Sequence, residues 1–205
     1  MSEQKVAIST HPIFTRPPRL SAGKILPKAV VSFEFHCENY FSNARGGVTD
    51  DAKVARILSS FDDLLVNDWI RVNRDRLITL TFEQFMSEFR TRWLPYNWEH
   101  QLLSQIMGFR FDPKKTRFGP WAEQVQTLNV YLRGTPLRLD NRSMRLLLQT
   151  NLDEDLQSLV WLANANEITE LHHWVTKVES LDDRRRKEAK RMWEVYNQVI
   201  NAHQK

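Results

Sequence analysis

The sequence predicts an all-α protein arranged as two small helical bundles, and three observations predict it. Apolar residues recur every three or four positions along most of the chain; Phe82, Phe85, Phe89 and Trp93 follow one another at steps of three, four and four. Strict alternation, the pattern of a half-buried strand, is confined to VVSFEF at residues 30–35, where a helical reading competes with it and is preferred. Glycine and proline then punctuate the periodic stretches at Gly46, Gly47, Pro95, Gly108, Gly134 and Pro136, with Pro95 between two sets of helices.

The elements follow in order. Residues 1–28 hold Pro12, Pro17, Pro18 and Pro27 with no regular apolar spacing, and read as a flexible basic arm. A first helix carries Val31, Phe33, Phe35, Tyr40 and Phe41. After Gly46 and Gly47, Thr49 is placed to cap a second, with Val54, Ile57, Leu58 and Phe61 on one face. A third, over about 62–76, is expected to turn Leu64, Leu65, Trp69 and Val72 inward and Asp68, Arg71, Arg74 and Asp75 outward. Thr81 and Gln84 fit a capping box opening the fourth, and Pro95 closes it. A lone amphipathic helix of that length is marginal in water, so its aromatic edge must bury against the preceding three. Residues 29–95 thus form a first domain.

The second domain, 96–181, begins with Trp98, Leu102, Leu103, Ile106 and Met107 on one face, interrupted by Gly108 and FRFDPKKTRFGP. Pro120 suits the first turn of the next helix, in which Trp121, Val125, Leu128 and Leu132 follow at four, three and four. Asp140 caps a helix with Met144, Leu147 and Leu148 inward. A short one follows through Leu156, Leu159, Val160 and Leu162, and the last has Ile168, Leu171, Val175, Val178 and Leu181 as its stripe. Residues 182–205 are basic and then regain Met192, Val195, Tyr196, Val199 and Ile200 on one face: a basic amphipathic tail, either a helical extension or a segment awaiting a partner.

Composition bounds the function. With 41% hydrophobic and 26% charged residues in 205, and a mean hydropathy of -0.51, the chain is that of a folded protein. No apolar run approaches the roughly 20 residues of a membrane span, and the N-terminus lacks a signal-peptide pattern, so a soluble intracellular product with no membrane contact is expected. A single cysteine, Cys37, excludes an internal disulfide and a cysteine-based zinc site. The 29 Lys and Arg against 25 Asp and Glu leave +4, and the excess lies towards the ends. Such a distribution permits a polyanionic partner.

Chemistry is harder to find. Phosphate-cradling and nucleophile-elbow motifs are missing from the sequence. His172 and His173 are adjacent, about 100° apart on a helix, unlike the i, i+4 pair of a metal site. Asp153, Glu154 and Asp155, like Asp62 and Asp63, precede apolar helices, where negative charge complements the helix dipole. We therefore expect no catalytic, cofactor or metal residues, no small-molecule substrate and no enzymatic activity. The tail cations Arg184, Arg185, Arg186, Lys187, Lys190 and Arg191, with the basic connector RFDPKKTRFGP, are the candidate contacts to RNA, of a nonspecific, salt-sensitive kind.

The aromatic arrangement resembles the Gag capsid region of long-terminal-repeat retrotransposons of the gypsy class and their domesticated descendants. Trp69 precedes Phe82, Phe85 and Phe89 as in the closing part of that family's N-terminal domain; IMGFRFDPKKTRFGPWAEQVQTLNVYL, with Trp121 and Leu128 seven residues apart, is similar to the major homology region; MRLLLQTNLDEDLQSLV looks like the helix, turn and helix after it. Departures are Lys114, Lys115 and Arg117 where the family more often has a glutamate, Gln124 in place of an arginine, and no CCHC zinc knuckle in the sequence. The resemblance implies capsid-like N- and C-terminal domains with Trp69, Phe82, Phe85, Phe89, Trp93, Trp121 and Leu128 in their cores. It implies a structural protein that assembles with itself, as pentamer or hexamer rings joined by inter-ring dimers, into a cytoplasmic virus-like particle around RNA. Ring contacts are expected around 38–44 and 53–60, and pairing through 140–150. The alternative is a non-assembling nucleic-acid-binding or adaptor protein of the same descent.

Overall fold

The computed structural model describes residues 16–44 and 46–203, and the chain is all-helical over them. The arm's first fifteen residues lie outside the described residues. In order, the helices are α1 (Pro27–Asn43), α2 (Asp50–Ile57), α3 (Leu64–Leu77), α4 (Phe82–Trp93), α5 (Trp98–Gly108), α6 (Phe118–Val130), α7 (Asn141–Thr150), α8 (Glu154–Leu162) and α9 (Leu171–His203), with a 3-10 turn at Ala165–Glu167 before the last. Two compact units divide the chain: Met1–Trp98 with Arg133–Thr135, and Glu99–Leu132 with Pro136–Lys205.

In the first unit, α1 starts at Pro27, whose fixed φ and missing N–H suit a first helical position. VVSFEF is therefore helical. Its periodicity places Val30, Val31, Phe33, Cys37, Tyr40 and Phe41 in the core, while Phe35 stays exposed. Ahead of α1, Leu20 forms a short parallel bridge to Phe61, donating to Ser60 O at 2.8 Å and accepting from Asp62 N at 3.0 Å. Arg19 pairs with Asp62 beside it.

The aromatic edge of α4 organises this core. Phe85 and Phe89 are fully buried, and Phe89 stacks on Phe61 at 5.1 Å between centroids; Phe85 stacks on Trp69 at 6.2 Å and Phe82 meets Phe41 edge-on at 5.2 Å. Such pairs add about 0.5–1.5 kcal/mol each beyond area burial. The capping box is present, Thr81 Oγ1 accepting from Gln84 N at 3.2 Å and Gln84 Oε1 from Thr81 N at 3.0 Å. Arg90, at the end of this edge, is buried with Glu34 of α1 as an ion pair.

One expectation fails in α3. Leu64, Leu65 and Val72 do not face inward; they are 84, 70 and 72% exposed. Asp63 caps the helix, accepting from Leu65 N at 2.9 Å and Val66 N at 3.2 Å, so Leu64 and Leu65 lie in a first turn. The packed stripe is Val66, Trp69, Ile70 and Leu77, and Leu65 and Val72, seven residues apart, form a second face one position out of phase.

The second unit is built around Phe118, Trp121 and Trp174, each at most 1% exposed. Phe118 meets Trp174 edge-on at 5.8 Å, and Phe111 reaches Trp121 at 5.4 Å. Ile106, Val125, Leu132, Met144, Leu148, Leu156, Val160, Val178 and Leu181 close the core. Asp140 and Asp153 cap α7 and α8 through Ser143 N (2.7 Å) and Leu156 N (3.2 Å). Asn129 holds the loop before α7 by exchanging two hydrogen bonds with the Leu139 backbone, at 2.8 and 2.9 Å. Two further inward expectations are corrected: Leu162 is 80% and Met107 55% exposed. In a nine-residue helix the buried line Leu156–Val160 leaves Leu162, two residues further on, pointing away.

The tail is a helical extension. It continues α9 without a break, so one helix of 33 residues runs from the core of the second unit to an exposed second half.

Candidate interaction surfaces

Of the core positions singled out by the resemblance, Trp69, Phe82, Phe85, Phe89 and Trp121 are buried, and Trp93 and Leu128 are half-buried. Trp93 lines a shallow groove of about 560 Å³ with Trp69, Leu65, Val72 and Arg92. The Arg92 guanidinium lies 5.5 Å from the Trp93 ring centroid and 5.8 Å from that of Trp69, within cation–π range. The exposed second face of α3 therefore has an aromatic floor and a cationic rim. The spans 38–44 and 53–60 carry no large exposed apolar residue among those described; the large exposed apolar side chains of this unit are Leu64, Leu65 and Val72 of α3, Ile78 just after it, and Leu26, Phe35 and Tyr96. In the second unit, Leu146 of α7 and Trp161 and Leu162 of α8 are 46, 56 and 80% exposed.

The six tail cations separate into two groups. Asp182, 1% exposed in its side chain, accepts from Phe118 N at 3.1 Å, Arg185 at 2.7 Å and Arg186 at 2.9 Å. Burial alone would raise its pKa, but the hydrogen bonds from Arg186, Arg185 and the Phe118 amide outweigh it and hold the carboxyl below its ordinary value. Arg185 also donates to Asp153 at 2.6 Å, and Arg186 to Pro113 O at 3.0 Å and Thr116 O at 2.7 Å. These two arginines fasten α9 to the start of α6, to the α8 cap and to the connector. The hydrogen bonds these two arginines make are to groups of their own unit.

Arg184, Lys187, Lys190 and Arg191 are exposed, and the partners of Arg184 and Lys190 are remote i+4 glutamates, Glu188 and Glu194, each at 3.9 Å. Because Arg186 holds the connector backbone, the exposed Lys114, Lys115 and Arg117 lie beside the start of the tail. The two basic segments, 70 residues apart in sequence, thereby become one surface. Sequence reading missed Asp182. Its signal was available: it falls on the stripe of Trp174, Val178 and Leu181, with Arg185 and Arg186 at i+3 and i+4.

The remaining polar candidates have local roles. His172 and His173 are exposed, and Glu170 accepts from their backbone amides at 3.0 and 2.6 Å. Cys37 is fully buried, and burial, reinforced by Glu34 and Glu38, pushes its thiol well above the ordinary range. Among the described residues no group of three His, Cys, Asp or Glu side chains is placed to hold a metal ion, and no helix is long and apolar enough to cross a membrane. Comparison with protein-family models, curated proteins and solved structures finds no match to this chain.

Proposed function

We propose that this protein is a structural, non-enzymatic subunit that assembles with copies of itself into a capsid-like shell around RNA, as the Gag resemblance implies. One observation carries the reading: each unit closes its own core yet leaves large apolar side chains exposed on defined helices, Leu65 and Val72 in one and Leu146, Trp161 and Leu162 in the other. Exposed apolar side chains grouped on one face mark interaction sites. Two such faces per chain are the minimum for extended assembly, since one contact gives only a pair, and weak contacts multiply over a closed shell. On this reading the α3 face makes ring contacts and the α7–α8 face pairs rings. The merged basic surface of Lys114, Lys115, Arg117, Lys187, Lys190 and Arg191 faces the packaged polyanion.

Sedimentation of the full chain tests it. Leu65→Glu with Val72→Glu is expected to stop growth at small pairs, and Trp161→Glu at single rings, both with unchanged melting. A wild-type chain that stays monomeric across protein and salt concentration overturns the reading.

A further inference from the structure

We infer that the second half of α9 is an antiparallel pairing element, which joins the tails of two copies of this chain about Tyr196. Met192, Trp193, Val195 and Tyr196 are 71, 63, 59 and 57% exposed, and Trp193 and Tyr196 stack on each other at 5.9 Å. At about 100° per residue, Met192, Trp193, Tyr196 and half-buried Ile200 fall on the helix side that Leu171, Trp174, Val178 and Leu181 use to pack into their unit. The core stripe thus runs on beyond its own core, interrupted only where Arg185 and Arg186 are fastened.

Area and charge identify the occupant. Met192, Trp193, Tyr196 and 51%-exposed Val199, the exposed side chains on this side, present about 500 Å², so a pair buries at most about 1,000 Å², the lower limit of a specific interface. From Met192 to His203 the only Asp, Glu, Lys or Arg is Glu194, and Asn197, Gln198 and Asn201 supply neutral polar neighbours. A helix built for a lipid surface carries Lys and Arg along the edges of its apolar face, and this stretch has none. A second copy meets no such mismatch. Orientation follows from Arg184, Lys187, Lys190 and Arg191 just upstream: a parallel pair sets the two cationic clusters side by side. Antiparallel pairing about Tyr196 moves the two Lys187 positions about 27 Å apart along the axis, at 1.5 Å per residue, which is several Debye lengths at physiological salt.

This contact is independent of the shell reading and holds equally for a chain that stops at dimers. The test uses full-length Met192→Cys and Ile200→Cys variants, oxidised singly and as a mixture; buried Cys37 is shielded from exchange. The antiparallel pair sets residue 192 against 200 of the other copy, whereas two copies of residue 192 lie about 12 Å apart, beyond disulfide reach. The expected result is a cross-linked dimer from the mixture, little from either variant alone, and loss of the mixed product when both carry Tyr196→Glu. Efficient cross-linking of Met192→Cys alone, no cross-linking in the mixture, or Tyr196-dependent capture by anionic vesicles in place of cross-linking each overturns the inference. Particles without tail cross-links sink only this contact; tail cross-links without particles sink only the shell.

Discussion

Replacing Asp182 with alanine removes the acceptor that three donors share. Breaking a buried charged pair from one side costs about 3–5 kcal/mol, because the charge left behind is unpaired. Here the remaining groups are partly provided for: Arg185 keeps Asp153 at 2.6 Å, and Arg186 keeps the carbonyls of Pro113 and Thr116. The Phe118 amide, fully buried at the start of α6, keeps nothing. The expected loss is therefore the lower end, about 3 kcal/mol. At a urea slope of about 1.5–2 kcal/mol per M, the midpoint of the second unit falls by about 1.5–2 M. Hydrogen exchange localises the change: amides of residues 116–122 should lose protection while those of α4 keep theirs. The pH dependence has a definite sign. Because the folded carboxyl titrates below its ordinary value, the stabilisation is present above the unfolded pKa and is lost as pH falls through the folded one. The acid side of the wild-type stability curve should therefore be steeper than that of Asp182→Asn. A loss under 1 kcal/mol, or one spread evenly over both units, would refute the assignment of Asp182 as the anchor of α9.

Other outcomes follow from the same contacts. Phe89→Ala, emptying a fully buried site beside Phe61 and Phe85, should cost the first unit about 3–5 kcal/mol by denaturant melting. Thr81→Ala should cost about 1 kcal/mol, with Gln84→Ala adding little on top because the two halves of the capping box act together. Replacing Lys187, Lys190 and Arg191 by glutamine should leave melting unchanged and reduce the slope of log affinity for single-stranded RNA against log salt by about 2, while Arg185→Gln with Arg186→Gln should lower melting first.

How far the sequence carried these conclusions depends on what decided each feature. Capping at Asp63, Thr81, Asp140 and Asp153 is local chemistry, readable within four residues, and the structure has all four hydrogen bonds, whereas Thr49, expected to cap α2, sits at its N-cap without making a side-chain capping bond. The aromatic run of α4 was legible because its period matched one buried face. Periodicity failed in α3, where Leu65 and Val72 satisfy a helical spacing as well as Val66 and Ile70 do; which stripe packs is settled by the other helices, not by α3. The basic tail failed differently. Composition counts cations but not their partners, so Arg185 and Arg186, held by Asp182 and by connector carbonyls, looked the same as exposed Lys187. The connector's approach to the tail is a tertiary event with no short-range trace.

The most direct measurement of the central claim is electron microscopy of the purified full-length chain at raised ionic strength, where repulsion between basic surfaces is screened. The account predicts closed particles of many copies, absent from the Leu65→Glu, Val72→Glu variant whose helicity is unchanged. A field of monomers and dimers under every salt condition, with the variant indistinguishable from wild type, would contradict it.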